Sequence, residues 1–159
     1  MLIENSTGNV KMLARFVADI PDDKMCVQFP NLPNHAAWTL GHLTQSRINI
    51  SNMIGKPAEL PAPDWSARFG RGSAPVSDPA AYPAKGEMLV ILQKTHDHLI
   101  GALATIDPAL LNVPHDRAFF LPLFPTKAHL VATVLTTHDG IHIGQLADFR
   151  RALGLPTVI

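Results

Sequence analysis

The sequence predicts an all-α fold, a bundle of four helices in a single domain over residues 1–159. Four segments carry apolar residues at the three- and four-residue spacing of a helix with one buried face. Proline or glycine stands at the end of each segment, and no stretch of useful length alternates between apolar and polar residues as a strand would. A chain of 159 residues, 47% of them hydrophobic, is large enough for a substantial core.

The composition excludes several classes of function. The formal net charge is zero and no basic residues cluster in the sequence, which argues against nucleic acid as a partner and marks no site for an anionic cofactor. No apolar run approaches the roughly 20 residues of a membrane-spanning helix, and the N-terminus lacks the pattern of a signal peptide. Cys26 is the only cysteine, so we expect no disulfide within the chain, an inert thiol and a cytoplasmic protein.

The first two helices are predicted from their spacing and their ends. Helix 1 is expected over about residues 5–20, and helix 2 begins near Pro33 or Asn34 and ends before Gly55. Gly41 inside helix 2 costs about 1 kcal/mol relative to alanine, which the close approach of another backbone would offset. One side of helix 2 is apolar, and the other side is semi-polar. A helix that faced only a dry core would not carry this semi-polar set, which is His35, Trp38, His42, Gln45, Asn49 and Met53.

The connection over residues 56–82 is too rich in proline and glycine for a long helix. Its length allows helix 3 to run parallel to helix 2 after a crossover. Trp65, Phe69 and Tyr82 favour packing over disorder. Two interpretations remain open: a strap that aromatic anchors hold against the bundle, or a lid at the rim of a pocket.

Helix 3 is expected from residue 83 or 84 to residue 106, and helix 4 from residue 127 to residue 153. Thr126 is the expected N-cap of helix 4 and Gly154 its C-cap. Between these helices, the apolar run over residues 119–124 is predicted to pack on the end of the bundle or on a partner subunit.

Histidine is the residue type that points toward function, since the chain has eight. His138 and His142 are one helical turn apart on an otherwise apolar face, so they are either hydrogen-bonded in the core or metal ligands. His42 is the best third ligand, and His96, on the apolar stripe of helix 3, is a weaker candidate. Three imidazoles suit zinc, nickel or another late transition metal and leave coordination positions open.

Polar and aromatic residues within two turns of these histidines are candidates for hydrogen bonds to the ligands or to a substrate. They are Gln45, Asn49, Gln145 and Trp38. Asp139 is adjacent to His138 but lies about 100° away around the helix, so it is not expected to be a ligand.

Three segments carry a resemblance to a known family. They are Ala37–Leu43 around the Gly-His-Leu of helix 2, Phe69–Ser73 together with Tyr82-Pro83, and His138–Leu146 followed by Arg151–Gly154. In these segments the chain resembles the DinB/YfiT-like metalloenzymes of the DinB superfamily. The resemblance implies an up-down-down-up four-helix bundle with a long crossover between helices 2 and 3, a metal on His42, His138 and His142, and homodimers. Characterised relatives include enzymes that use mycothiol or bacillithiol for S-transfer or isomerisation.

The leading hypothesis is a metal-dependent enzyme in which a divalent ion activates water or a low-molecular-weight thiol for hydrolysis or S-transfer. The alternative is a bundle that binds a metal or a small molecule without catalysis, as a stress-related or scaffold protein. A third hypothesis is a metal-free core with buried neutral histidines. An open metal position that faces a cavity of a few hundred Å³ would favour the first two.

Overall fold

The computed structural model describes residues 1–158, and within that range the protein consists of helices and connections without strands. This confirms the predicted all-α bundle. Its long helices are α1 (Leu2–Ala18), α2 (Ala36–Met53) and α4 (Lys85–Thr105), with a short α3 (Trp65–Phe69) in the connection between α2 and α4. The fourth long helix comprises α5 (Lys127–Thr133), a π turn (Val134–His138) and α6 (Asp139–Ala152). Short 3₁₀ turns cover Asp22–Lys24, Pro79–Ala81 and Pro108–Leu111.

The helix ends differ from the predicted ones where capping decides them. α1 begins earlier than expected, at Leu2. α2 begins later, at Ala36, because His35 is its N-cap: the His35 Nδ1 atom accepts a hydrogen bond from the Trp38 amide at 3.1 Å. At the last helix, the Thr126 side chain accepts from the His129 amide, and Gly154 follows the helix with a φ of +74°, a conformation that favours glycine.

Side-chain contacts show the relative directions of the long helices. α4 runs antiparallel to α1 and parallel to α2, while the last helix runs parallel to α1 and antiparallel to α2. A connection from one end of the bundle to the other therefore joins α2 to α4. The contacts between α1 and α4 are Thr7–His96 and Ile20–Lys85, and those between α2 and α4 are His35–Tyr82 and Arg47–His96. The last helix contacts α1 through Asn9–Leu135 and Asp19–Arg150, and α2 through Asn34–Gln145 and His42–His138.

The core contains a buried ion pair that the sequence interpretation missed. Arg47 on α2 and Asp139 on α6 both have fully buried side chains. The guanidinium donates to both carboxylate oxygens, at 2.8 and 3.2 Å, and to the Leu43 carbonyl at 3.1 Å. His96 on α4 lies beside this pair, with its Nδ1 atom 3.4 Å from Arg47 Nε. The three residues form one polar layer that joins three helices next to the histidine pair of the last helix.

The connection over residues 56–82 packs against α2, as its aromatic residues predicted. Trp65 and Phe69 are buried, and their rings contact each other. The Phe69 ring occupies the space that a side chain on Gly41 would need. The close approach expected at Gly41 is therefore present, but it involves an aromatic ring and not another backbone. No helix within residues 1–158 is both long enough and apolar enough to cross a membrane.

Candidate metal centre

The structure brings His42, His138 and His142 together in the centre of the bundle. Each offers one nitrogen, and these three atoms lie within 4.8 Å of one another. The Nε2 atoms of His42 and His138 are 3.1 Å apart. His142 is buried, while His42 and His138 are partly exposed. The pair from the last helix and the single histidine from α2 therefore converge, as the sequence predicted.

Neighbouring groups hold the His42 ring in place from two sides. Its Nδ1 atom lies 2.8 Å from the Phe69 carbonyl oxygen, which can only accept, so Nδ1 carries the proton. The Trp38 ring stacks on the imidazole with a centroid distance of 4.6 Å and an angle of 9°. The Trp38 indole donates to Ser73 Oγ, which in turn donates to the Gly70 carbonyl. The connection after α2 thus leaves the lone pair of His42 Nε2 directed at His138.

A π turn positions His138. Residues Val134–His138 form this turn where the sequence predicted a continuous α-helix, and such turns are frequent at functional sites. Thr136 Oγ1 donates to the Ala132 carbonyl at 2.7 Å, and Asn9 of α1 donates to the Leu135 carbonyl at 3.2 Å. These bonds satisfy backbone and hydroxyl groups that a widened turn would otherwise leave unpaired.

Burial keeps the three imidazoles neutral. It lowers the pKa of His42 from its ordinary value, against the opposing effect of the bond to Phe69. Burial, followed by the charges of His42 and Arg47, lowers the pKa of His138 to about 4. Burial and the other two histidines lower the pKa of His142 to about 3. Neutral imidazole is the form that binds a metal.

The donor set fits a divalent transition metal. His42 Nδ1–H bonds to a backbone carbonyl, the usual arrangement for a metal-binding histidine whose other nitrogen is the ligand. Within the described residues, the buried Nδ1 atoms of His138 and His142 have no hydrogen-bond partner. No protein group in that part of the chain therefore competes for these two Nδ1 atoms. Three nitrogen donors without a carboxylate suit zinc or nickel better than magnesium or calcium.

A cavity of about 320 Å³ opens beside the cluster, with His42 and His138 in its wall. Its other walls come from α2, the connection after α2, the loop before α5 and the π turn. The lining is mostly apolar, with Gln45, Ser46 and Asn49 as polar groups on the α2 side. Phe120 and Phe124 of the run over residues 119–124 also line it, so part of this run packs at the cavity, while Phe119 and Leu123 stay exposed.

The other predicted site residues are distributed around the cluster. Gln45 donates to Asn49 Oδ1 at 2.9 Å and accepts from Ser66, so both polar residues of α2 are held at the cavity wall. The Gln145 side-chain oxygen accepts a hydrogen bond from Asn34 at 2.9 Å. His96 is not part of the cluster: its Nε2 atom lies 3.2 Å from Thr7 Oγ1, and its other nitrogen faces Arg47.

Two arginines at the cavity had no role in the sequence interpretation. Arg71 follows α3, and Arg117 lies in the loop before α5, yet both line the cavity. Their separation along the chain concealed them, because no basic cluster exists in the sequence. Cys26, by contrast, is as expected: it is buried away from the cavity, and burial raises the pKa of its thiol.

Comparison with known proteins supports the resemblance noted in the sequence. The sequence profile of the DinB superfamily matches residues 8–146, which include all three histidines of the cluster. No curated protein matches the sequence significantly. Since the profile covers most of the chain, the protein belongs to the DinB superfamily.

Proposed function

For this member of the DinB superfamily, we propose a metal-dependent enzyme in which His42, His138 and His142 hold a divalent ion. Zinc and nickel suit the three nitrogens best. The chemistry that such an ion supplies is acidification of a water molecule or a thiol, which makes either one a nucleophile near neutral pH. The proposed reaction class is hydrolysis or S-transfer with a low-molecular-weight thiol.

The observation that carries this proposal is the cavity beside the cluster. A structural metal site is closed by protein ligands, whereas a catalytic one keeps a position open. Here His42 and His138 lie in the wall of a cavity of about 320 Å³, which is within the range of small-molecule sites. A substrate in that cavity would lie against His42 and His138, whereas His142 does not line it.

The residues around the cavity have distinct proposed roles. Trp38 and the Phe69 carbonyl fix the orientation of His42, so that its free nitrogen needs no rearrangement when the metal binds. Gln45 and Asn49 offer amide groups to a polar part of the substrate. Phe120 and Phe124 exclude water from the apolar part of the cavity.

The runner-up is a protein that binds a metal or a small molecule without turnover. The convergence of one nitrogen from each of the three histidines supports the metal in either case, and the cavity serves a bound ligand as well as a substrate. The two proposals differ in turnover alone, so assays on the metal-loaded protein separate them.

The metal is tested by elemental analysis of untagged protein. The wild type is expected to hold about one ion of zinc or nickel per chain, and His138→Ala to hold much less. His98→Ala is the matched control, since His98 is an exposed histidine on α4 whose ring bonds to the Lys56 carbonyl and to no side chain among residues 1–158. Equal metal in the wild type and in His138→Ala would refute the three-histidine site.

Catalysis is tested by incubating the metal-loaded protein with thiols and electrophiles, and separately with ester and amide substrates. Turnover that disappears in His138→Ala supports the enzyme. Metal binding without turnover in either set favours the binding protein.

Two further proposals concern the state of the protein. Homodimers are a common state among the relatives that the sequence resembles, and light scattering of the purified protein tests for a dimer here. A cytoplasmic location agrees with a single buried thiol, and fractionation of the producing cells tests it.

A further inference from the structure

We propose that the cavity beside the three histidines binds a small organic anion, whose carboxylate or phosphate pairs with Arg71 and Arg117 and whose apolar part fills the cavity. The inference rests on the proposed function, because it names the class of substrate or cosubstrate that would meet the metal. It goes beyond the metal site, whose ligands do not determine what binds next to them.

The charge of the cavity lining is the first argument. Arg71 and Arg117 are the only ionised side chains among the lining residues, and no aspartate or glutamate accompanies them. Imidazole ligands bind a metal as neutral groups, so a divalent ion held by the three histidines would keep its full charge. An anionic ligand would balance a positive metal and two guanidinium groups, while a cationic one would be repelled.

The position of Arg71 is the second argument. Its guanidinium lies 4.1 Å from the centre of the Phe119 ring and 5.4 Å from that of Phe120. Among the described residues it has no carboxylate partner. Stacking on aromatic rings orders an arginine while leaving the N–H groups at its edge free, and these groups match a carboxylate or phosphate in two-point contact. The group is therefore positioned before any ligand arrives.

Within residues 1–158, only a weak contact with Asp116 competes with a ligand for the Arg117 guanidinium. Its Nε atom lies 3.7 Å from an oxygen of Asp116, whose side chain is 85% exposed. A contact of that length between exposed neighbours contributes little. Asp116 does not line the cavity, so the guanidinium remains available there.

The cavity wall indicates the rest of the ligand. Beyond the arginines and the amides of Gln45 and Asn49, the surface is aliphatic and aromatic. A ligand that is charged at one end and apolar behind it matches this division, whereas a sugar or a free amino acid would leave its polar groups unpaired. The apolar side chains that form the wall are Ile50, Met53, Phe120, Phe124, Leu130 and Val134.

The test uses hexanoate and hexyl phosphate as anions and hexanamide as the uncharged probe. Isothermal titration calorimetry compares the wild type with Arg71→Gln/Arg117→Gln, each metal-free and metal-loaded. We expect the wild type to bind an anion more tightly than hexanamide, and the double variant to lose about tenfold in affinity for that anion with hexanamide binding unchanged. The stronger of the two anions identifies a carboxylate or a phosphate ligand.

Lys11→Gln/Arg15→Gln is the matched control, because it removes two positive charges from the exposed side of α1. It is expected to keep the anion affinity of the wild type. Should Arg71→Gln/Arg117→Gln fail to fold, Arg117→Gln alone, at an exposed position, is expected to lose about threefold. The proposal is overturned if the metal-free wild type does not prefer an anion to hexanamide, or if the metal-free arginine variant retains that preference.

The metal-free titrations separate this inference from the proposed function. An anion preference in a protein that holds no stoichiometric metal supports the arginine site and refutes the proposed metal centre. Stoichiometric metal without an anion preference leaves the metal centre and overturns the arginine site.

Discussion

Asp139→Asn is expected to destabilise the protein strongly, although it removes no contact with the histidines. The substitution preserves the shape of the side chain but leaves the Arg47 guanidinium buried without a counter-charge. Both side chains are fully buried in the wild type, so water cannot replace the carboxylate. Removal of one partner of a buried ion pair costs about 3–5 kcal/mol.

That loss is large relative to the stability of a domain, which is about 5–15 kcal/mol in total. For a chain of this size, each kcal/mol corresponds to about 2–4 °C in the melting temperature. The expected decrease is therefore about 6–20 °C. Urea unfolding followed by circular dichroism, with a chelator present, measures the free energy of the metal-free protein.

Two variants test the reasoning behind this number. Arg47→Met/Asp139→Leu removes both charges and is expected to cost much less than Asp139→Asn, because no unpaired charge remains. Asp148→Asn, in the exposed pair with Arg151 on the same helix, is expected to cost at most about 1 kcal/mol. The reasoning is refuted if Asp139→Asn stays within about 1 kcal/mol of the wild type, or if the double variant loses as much as the single one.

Two further predictions concern packing and pH. Gly41→Ala is expected to cost about 1–3 kcal/mol because its methyl group would overlap the fully buried Phe69 ring, and to weaken metal binding by displacing the Phe69 carbonyl from His42. Gly101→Ala on α4, where nothing obstructs the new methyl group, should be neutral or stabilising in the same unfolding assay, and equal effects at both glycines would contradict the packing argument. Burial and then the Arg47 charge lower the pKa of His96 to about 4, so the unfolded chain binds a proton below about pH 6.5 that the folded protein does not. The free energy of unfolding should therefore fall between about pH 6.5 and pH 4, and His96→Gln should reduce that slope by up to about 1.4 kcal/mol per pH unit; an unchanged slope would exclude His96 as a source.

The helices were predictable because their apolar spacing is repeated over many residues. The histidine cluster was predictable because two of its members are four residues apart and the third lies on the semi-polar side of α2. The helix ends were less accurate where one side chain decides them, as His35 does at α2. The π turn left no pattern in the sequence, and one of the bonds at it comes from Asn9 in another helix.

Arg71 and Arg117 could not be found from the sequence for a different reason. Each lies in an irregular connection, where no periodicity indicates which way a side chain points. Their convergence on the cavity follows from how the two connections fold over the helices. The only indication in the sequence was indirect: the run over residues 119–124, which contacts Arg71, was expected to pack on the end of the bundle or on a partner subunit.

The buried ion pair, in contrast, was encoded in the helical pattern. Arg47 occupies a position of the apolar stripe of α2, between Leu43 and Ile50, and Asp139 occupies the corresponding position between Leu135 and His142. A charge on a buried stripe needs a partner of opposite charge. Arg47 and Asp139 are the opposite charges that these two stripes offer each other. Because the pair joins α2 to α6 within a turn or two of His42 and His138, it favours one alignment of the helices, the one that brings the histidines together.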